Sequence, residues 1–156
     1  MKIVDILHKE MIMDNLKARD KKGVLEELLD PIHHVDKELN KHELVKVLLE
    51  RERLGSTGIG GGIGIPHGKS SKIQSMIIGF GLSRKGVDFE SIDGKPTHIF
   101  FLLLTPENSA GLHLKFLARI AKMLQVQDFK EKIMNATNRD EIYAIIQEEE
   151  NDLIDI

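Results

Sequence analysis

Eight residues past the middle of the chain, Thr97 to Leu104 (THIFFLLL), would put apolar side chains on both faces of an extended segment. A strand of that kind belongs at the centre of a sheet with helices on each side, because neither face can be left to water. Its partner is expected upstream, where Met76, Ile78, Phe80 and Leu82 alternate with Ile77, Gly79, Gly81 and Ser83. That alternation reads as a strand with one apolar face and one nearly bare face. Pro106 stops the central strand. The helices come from the rest of the chain. Val24, Leu25, Leu28, Leu29 and Ile32 recur at helical spacing behind Asp20, a candidate cap. A second helix starts at Asn40, with Glu43 at capping-box spacing, and runs through Leu44, Val45, Leu48 and Leu49 to about Leu54. Gly111 to Gln125 carries Leu117, Ile120 and Leu124 on one stripe with Arg119 and Lys122 opposite. Asp128–Asn135 and Glu141–Glu150 follow, the latter behind an Asn138/Glu141 capping box, while Met1 to Ala18 suggests a short helix or turn and then a strand. Helices before and after a small sheet predict an α/β layered domain.

With 156 residues, no internal repeat and no Pro/Ser linker, a single domain over residues 1–156 is expected. Composition narrows the function. The chain has no cysteine, which removes disulfides and thiolate chemistry and fits a reducing cytoplasm. Its longest apolar run, Ile99 to Leu104, is six residues, and Lys2, Asp5 and Lys9 interrupt the N-terminus, so neither membrane insertion nor export is expected. A net charge of −3 with one Tyr and no Trp disfavours nucleic acid as a partner.

The glycines are uneven: of thirteen, seven fall between Gly55 and Gly68. A phosphate-binding loop would need glycine five positions before Gly68, where Ile63 stands, and the dinucleotide fingerprint fails at Ile63 or Ile65. No nucleotide motif survives. The segment ends instead in Pro66-His67, where proline fixes its own φ and biases Ile65 toward extended backbone. One reading makes His67 the reacting group, a nucleophile neutral enough at ordinary pH to attack, with surrounding glycines leaving room for a phosphoryl group or a partner's active residue. The other is a turn with an incidental surface histidine. Spacing alone leaves both open.

The run Ser56-Thr-Gly-Ile-Gly-x-Gly-Ile-x-Ile-Pro-His67, with Arg51 sixteen residues before and His113 forty-six after, resembles the mannitol/fructose-type IIA domain of the bacterial phosphoenolpyruvate:sugar phosphotransferase system. Gly86-Val-Asp-Phe and Leu102-Leu-Leu-Thr-Pro-Glu-Asn-Ser extend the likeness over nearly the whole chain. The resemblance implies a small mixed sheet flanked by helices. It implies that His67 takes a phosphoryl group on Nε2 from the phosphocarrier protein HPr and passes it on, with no bound cofactor. The onward partner is then a IIB domain in sugar uptake or a target protein in the family's nitrogen-regulatory branch. The regulatory branch is preferred, because no fused IIB or IIC domain accompanies this sequence and its N-terminal and Leu54-Gly-Ser-Thr wording is closer to that branch.

The same resemblance gives Arg51 and His113 roles at the phosphate. Arg51 would neutralise phosphoryl oxygens in a loose, charge-spread transition state. His113 shares a helical stripe with Leu117, which alone would suggest a core histidine; near the helix start, the backbone field favours an anion and disfavours imidazolium, so it is expected to stay neutral and donate a hydrogen bond. Ser56 and Thr57 could add hydroxyl donors. Position 64 is Gly where the family usually carries Ala, from which a slightly looser loop is expected. The competing chemistry is a metal-binding module of His67 and His113 with Glu52 or Glu107, disfavoured because no short-range histidine pair occurs. His8, His33, His34 and His42 read as surface residues and His98 as a buried, satisfied one. The acidic run Glu148 to Asp155 reads as a solvated face.

Overall fold

The computed structural model describes residues 1–154; Asp155, the last acid of that run, lies outside the described residues. A six-stranded mixed sheet is built around β6 (Thr97–Pro106). On one side β6 pairs antiparallel with β5 (Ile77–Val87), which pairs parallel with the two-residue β1 (Ile12–Met13). On the other it pairs parallel first with β3 (Ile63–Gly64) and then with β4 (His67–Ser70), and β2 (Gly58–Gly60) forms a small hairpin with β3. The central strand is as expected: Ile99 to Leu104 are all buried. Each such Leu, Ile or Phe contributes roughly 1.5–3 kcal/mol by leaving water, so this strand and its cover anchor the fold.

Among the described residues six α-helices accompany the sheet: α1 (Ile3–Ile6), α2 (Lys21–Leu29), α3 (Lys41–Arg53), α4 (Ala110–Met123), α5 (Gln127–Asn135) and α6 (Arg139–Ile154). Local chemistry sets their ends. The Asp20 carboxylate accepts from the Gly23 amide at 2.8 Å, and Asn40 Oδ1 accepts from the Glu43 amide at 3.2 Å. Past α3, Gly55 takes a φ of +143°, a conformation few side chains tolerate, and the helix stops. Glu150, almost wholly buried on α6, accepts from the amides of Ile3 and Val4 and so ties α1 to the last helix.

Two expectations change. The bare face of β5 is not bare, because a Cβ at Gly81 would come within 2.6 Å of Leu28 Cδ2 and 2.7 Å of Leu16 Cδ1. Here the missing side chains admit α2 against the sheet. The glycine-rich segment is not one loop either: it supplies β2, β3 and the start of β4, with positive φ at Gly60, Gly61 and Gly62 turning the hairpin.

Candidate functional site

His67 opens β4, which among the described strands pairs with β6 alone. Pro66 precedes it, and the Pro66 carbonyl accepts from the Leu103 amide at 3.0 Å, so the backbone entering His67 is fixed from both sides. A sheet edge lies between two helical layers. From one comes Arg51 in the last turn of α3, and from the other His113 on α4. The Arg51 Nε donates to His67 Nε2 at 3.3 Å and its Nη1 to the Gly55 carbonyl at 2.9 Å, while the His67 and His113 rings lie 5.4 Å apart. Around them is an open cavity of about 480 Å³, lined also by Val47, Leu54, Lys69 and Leu114.

The hydrogen bonds fix the state of His67. Its Nδ1 lies 2.7 Å from the Ile65 carbonyl, which can only accept, so Nδ1 carries the proton and the neutral ring presents its lone pair at Nε2. Burial lowers the His67 pKa below the usual histidine value, and the positive charges of Arg51 and Lys69 act in the same direction; the Ile65 carbonyl and Glu52 oppose them. A neutral nucleophile in a cavity that Arg51 and Lys69 also line suits an incoming polyanion.

His113 is 4% exposed and its pKa is pulled down to about 4. Burial is the main cause, followed by His67 and Lys69. The expected neutral state thus arises mainly from desolvation rather than from the helix start. Indeed the His113 amide already donates to the Ser109 carbonyl at 2.9 Å and is not among the helix's open donors. The His113 Nδ1 is held by Thr105 Oγ1 at 2.7 Å.

Ser56 and Thr57 are spent elsewhere. Thr57 is buried with its hydroxyl bonded to the Glu52 carboxylate, and Ser56 Oγ donates to the Phe89 carbonyl at 3.0 Å. Neither lines the cavity at His67. Glu52 also accepts from the Thr57 amide at 3.0 Å and pairs with Lys21 at 3.2 Å, which leaves it no role as a ligand. Glu107 lines a different cavity, with Ser71 and Gln74, and among the described residues no three His, Asp or Glu side chains gather to hold a metal ion.

The glycines do less at the cavity than their clustering suggests. A Cβ on Gly68 would stand 2.7 Å from Val47 Cγ1, so this glycine lets α3 close on β4. Gly61 and Gly62 border another cavity with His98 and Lys130. Gly64 lies in β3 rather than in a loop, and a Cβ there would meet Phe100 at 3.1 Å. His8, His33, His34 and His42 are exposed, and His98 is half-buried with Nδ1 at 2.8 Å from the Ser83 carbonyl. Lys69 and Thr105 were not singled out by the sequence reading. Lys69 was within reach of it, two residues along a strand from His67 and hence on its face; Thr105 depends on a sheet register that no local pattern encodes.

Comparison with known proteins agrees with this architecture. Residues 5–149 match the family described as "Phosphoenolpyruvate-dependent sugar phosphotransferase system, EIIA 2". A "Nitrogen regulatory protein" of Bradyrhizobium diazoefficiens is 39% identical over 94% of this chain and 95% of its own. The "PTS system fructose-specific EIIABC component" of Bacillus subtilis is 34% identical over 95% of this chain, which spans 23% of that longer protein. Among solved structures, the nitrogen regulatory protein IIA-Ntr of Neisseria meningitidis superposes with a TM-score of 0.84 at 33% identity, covering 92% of this chain and 98% of that one. The IIA mannitol structure from Escherichia coli shares the fold at TM-score 0.72 and 21% identity, over 89% of this chain and 97% of that one.

Proposed function

The chain belongs to the EIIA 2 family of the phosphoenolpyruvate-dependent sugar phosphotransferase system, and from that premise we propose that residues 1–156 form one cytoplasmic phosphoryl-carrier domain whose reacting atom is His67 Nε2. The observation that carries this is the Nδ1 bond to the Ile65 carbonyl, since it leaves the lone pair at the nitrogen that faces Arg51. The lone pair attacks phosphorus on the phosphohistidine of an HPr-type donor. One N–P bond forms as the other breaks, and the proton on His67 Nδ1 stays where the carbonyl holds it. Arg51 swings its N–H donors from the ring to the phosphoryl oxygens, and Lys69 adds charge at the rim. In a loose transition state that neutralisation is most of what the protein must supply. His113 stays neutral and serves as a donor to an oxygen. Ser56 and Thr57 act at a distance, by holding the loop that receives Arg51. The phosphoryl group then leaves by the same displacement to a IIB-type acceptor.

We favour the nitrogen-regulatory role, in which the phosphorylation state governs binding to target proteins, on the strength of the nitrogen regulatory relatives that match over most of their own length. A fructose-type carrier is the second reading, supported by the likeness to the fructose-specific proteins. Incubation with phosphoenolpyruvate, enzyme I and HPr is expected to add one acid-labile phosphoryl group, and His67→Ala to abolish it. Labelling that survives the substitution overturns the assignment of His67. Rapid discharge of the phosphorylated protein to a purified fructose IIB domain would replace the regulatory reading with the sugar one.

A further inference from the structure

Thr105 is wholly buried at the end of β6, and its hydroxyl meets His113 Nδ1 at 2.7 Å. A hydroxyl and an imidazole nitrogen can bond in two ways, with the proton on either partner. The surroundings choose between them. Among the described residues the Thr105 hydroxyl has no acceptor other than His113 Nδ1. If Nδ1 carried the proton and donated to Oγ, the hydroxyl hydrogen would be left buried without a partner, which costs about 1–3 kcal/mol. If the hydroxyl donates, both atoms are satisfied.

We propose that Thr105 is a positioning residue: by donating to His113 Nδ1 it keeps the proton of the neutral ring on Nε2, the nitrogen presented to the cavity beside His67. This rests on the reading of His67 as the phosphorylated residue. The two histidines then hold opposite tautomers for opposite tasks. A carbonyl behind His67 forces its proton away from the cavity and leaves a lone pair to attack. A hydroxyl behind His113 forces its proton toward the cavity and leaves a donor for a phosphoryl oxygen. The strand register puts Thr105 near His67, for His67 pairs with Leu103 and Lys69 with Thr105. Side chains two apart on a strand share a face, so Thr105 stands behind the same cavity as the residue it serves at one remove.

The test is the nitrogen-15 spectrum of the histidine-labelled protein together with the rate of phosphoryl acceptance from phosphorylated HPr. In the wild type, His113 should show a protonated Nε2 and an unprotonated Nδ1. In Thr105→Val, which keeps the shape and deletes the donor, the two nitrogens should move toward averaged values and acceptance should slow about tenfold, roughly 1.4 kcal/mol of barrier. Thr105→Ser should restore both. A wild-type His113 protonated at Nδ1 overturns the proposal, and so does a folded Thr105→Val that keeps the wild-type spectrum and rate. Should the valine variant fail to fold, the wild-type and serine spectra still decide. Failure of the His67 assignment is a separate result, read from phosphoryl labelling of His67→Ala, and it leaves the tautomer measurement intact.

Discussion

Of the strands that pair with β6, β5 and β4 both depend on glycine where a helix comes down on them, yet only β4 carries chemistry. On β5, Gly81 receives Leu28 and Leu16 and lies between neighbours on both sides. On β4, Gly68 receives Val47 of α3 in the same way, but β4 is an edge, and His67 beside it is only half-buried. Glycine therefore marks close packing in both places. What distinguishes the functional region is the edge, where the two helical layers that cover the sheet can both reach past it and set Arg51 and His113 around one imidazole.

The sharpest way to break that contrast is to remove chemistry from the edge without touching the packing. Arg51→Gln is expected to slow phosphoryl acceptance about 10²–10³-fold, the usual loss when one preorganised donor at a developing charge is deleted. The fold should hardly notice, because Arg51 is partly exposed and its solvent-exposed bond to the Gly55 carbonyl contributes only about 0.5–1.5 kcal/mol. Stopped-flow or quench-flow labelling beside a urea titration checks both halves. A large loss of stability would mean that Arg51 belongs to the frame instead.

His113 joins the two regions, being core by burial and cavity-lining by position. Its folded pKa of about 4 lies below the unfolded value near 6.5, so the unfolded chain takes up the proton first as pH falls. The sign follows: stability is fully present above pH 6.5, declines through the interval and has lost up to about 3 kcal/mol near pH 4, with His67 adding in the same direction. His113→Gln should flatten that decline in urea titrations taken across pH 4–7. A decline of unchanged steepness would remove His113 as its source.

Gly81→Ala and Gly68→Ala sharpen the same comparison at about 1–3 kcal/mol each, the usual cost of overpacking. At Gly81 the obstructing atoms are the ends of two leucines, and the labelling rate of the folded protein should be unchanged. At Gly68 the obstructing atom belongs to a β-branched valine that cannot rotate aside, so α3 must shift and Arg51 with it. Labelling should slow there as well. Equal rates in the two variants would show that α3 has room to move without disturbing the site.

This contrast also explains what was legible in the sequence. Alternation, helical stripes and caps are local, so β5, β6 and the helices behind Asp20 and Asn40 stand close to where the pattern puts them. The Pro66-His67 pair and Arg51 were equally visible, one as backbone restraint and the other at the end of a helix that glycine must stop. The purpose of the glycines was not, because whether an absent Cβ leaves a void or admits a neighbour depends on what folds over it. The Glu52 clamp on Thr57 and Lys21 escaped for the same reason, since it joins residues from α2, α3 and the loop beyond it.

Gly64→Ala carries the smallest expected effect and separates the two meanings of glycine most finely. The position has an ordinary φ, so alanine meets no backbone strain, and it would reduce the freedom of the unfolded chain by about 0.4–1 kcal/mol. Against that, the new methyl would stand 3.1 Å from Phe100 Cδ1 and 3.3 Å from Thr97 Cγ2 and require each to give by a few tenths of an ångström. Phe100 is itself held edge-on against Phe89, with ring centres 5.1 Å apart, so the adjustment is resisted and the two effects should nearly cancel. Stability within about 1 kcal/mol of wild type and an unchanged labelling rate are therefore expected. A marked change in rate would mean that packing at β3 is transmitted through Ile65, the residue whose carbonyl orients His67, and would extend the functional region from β4 to β3 along the same side of β6.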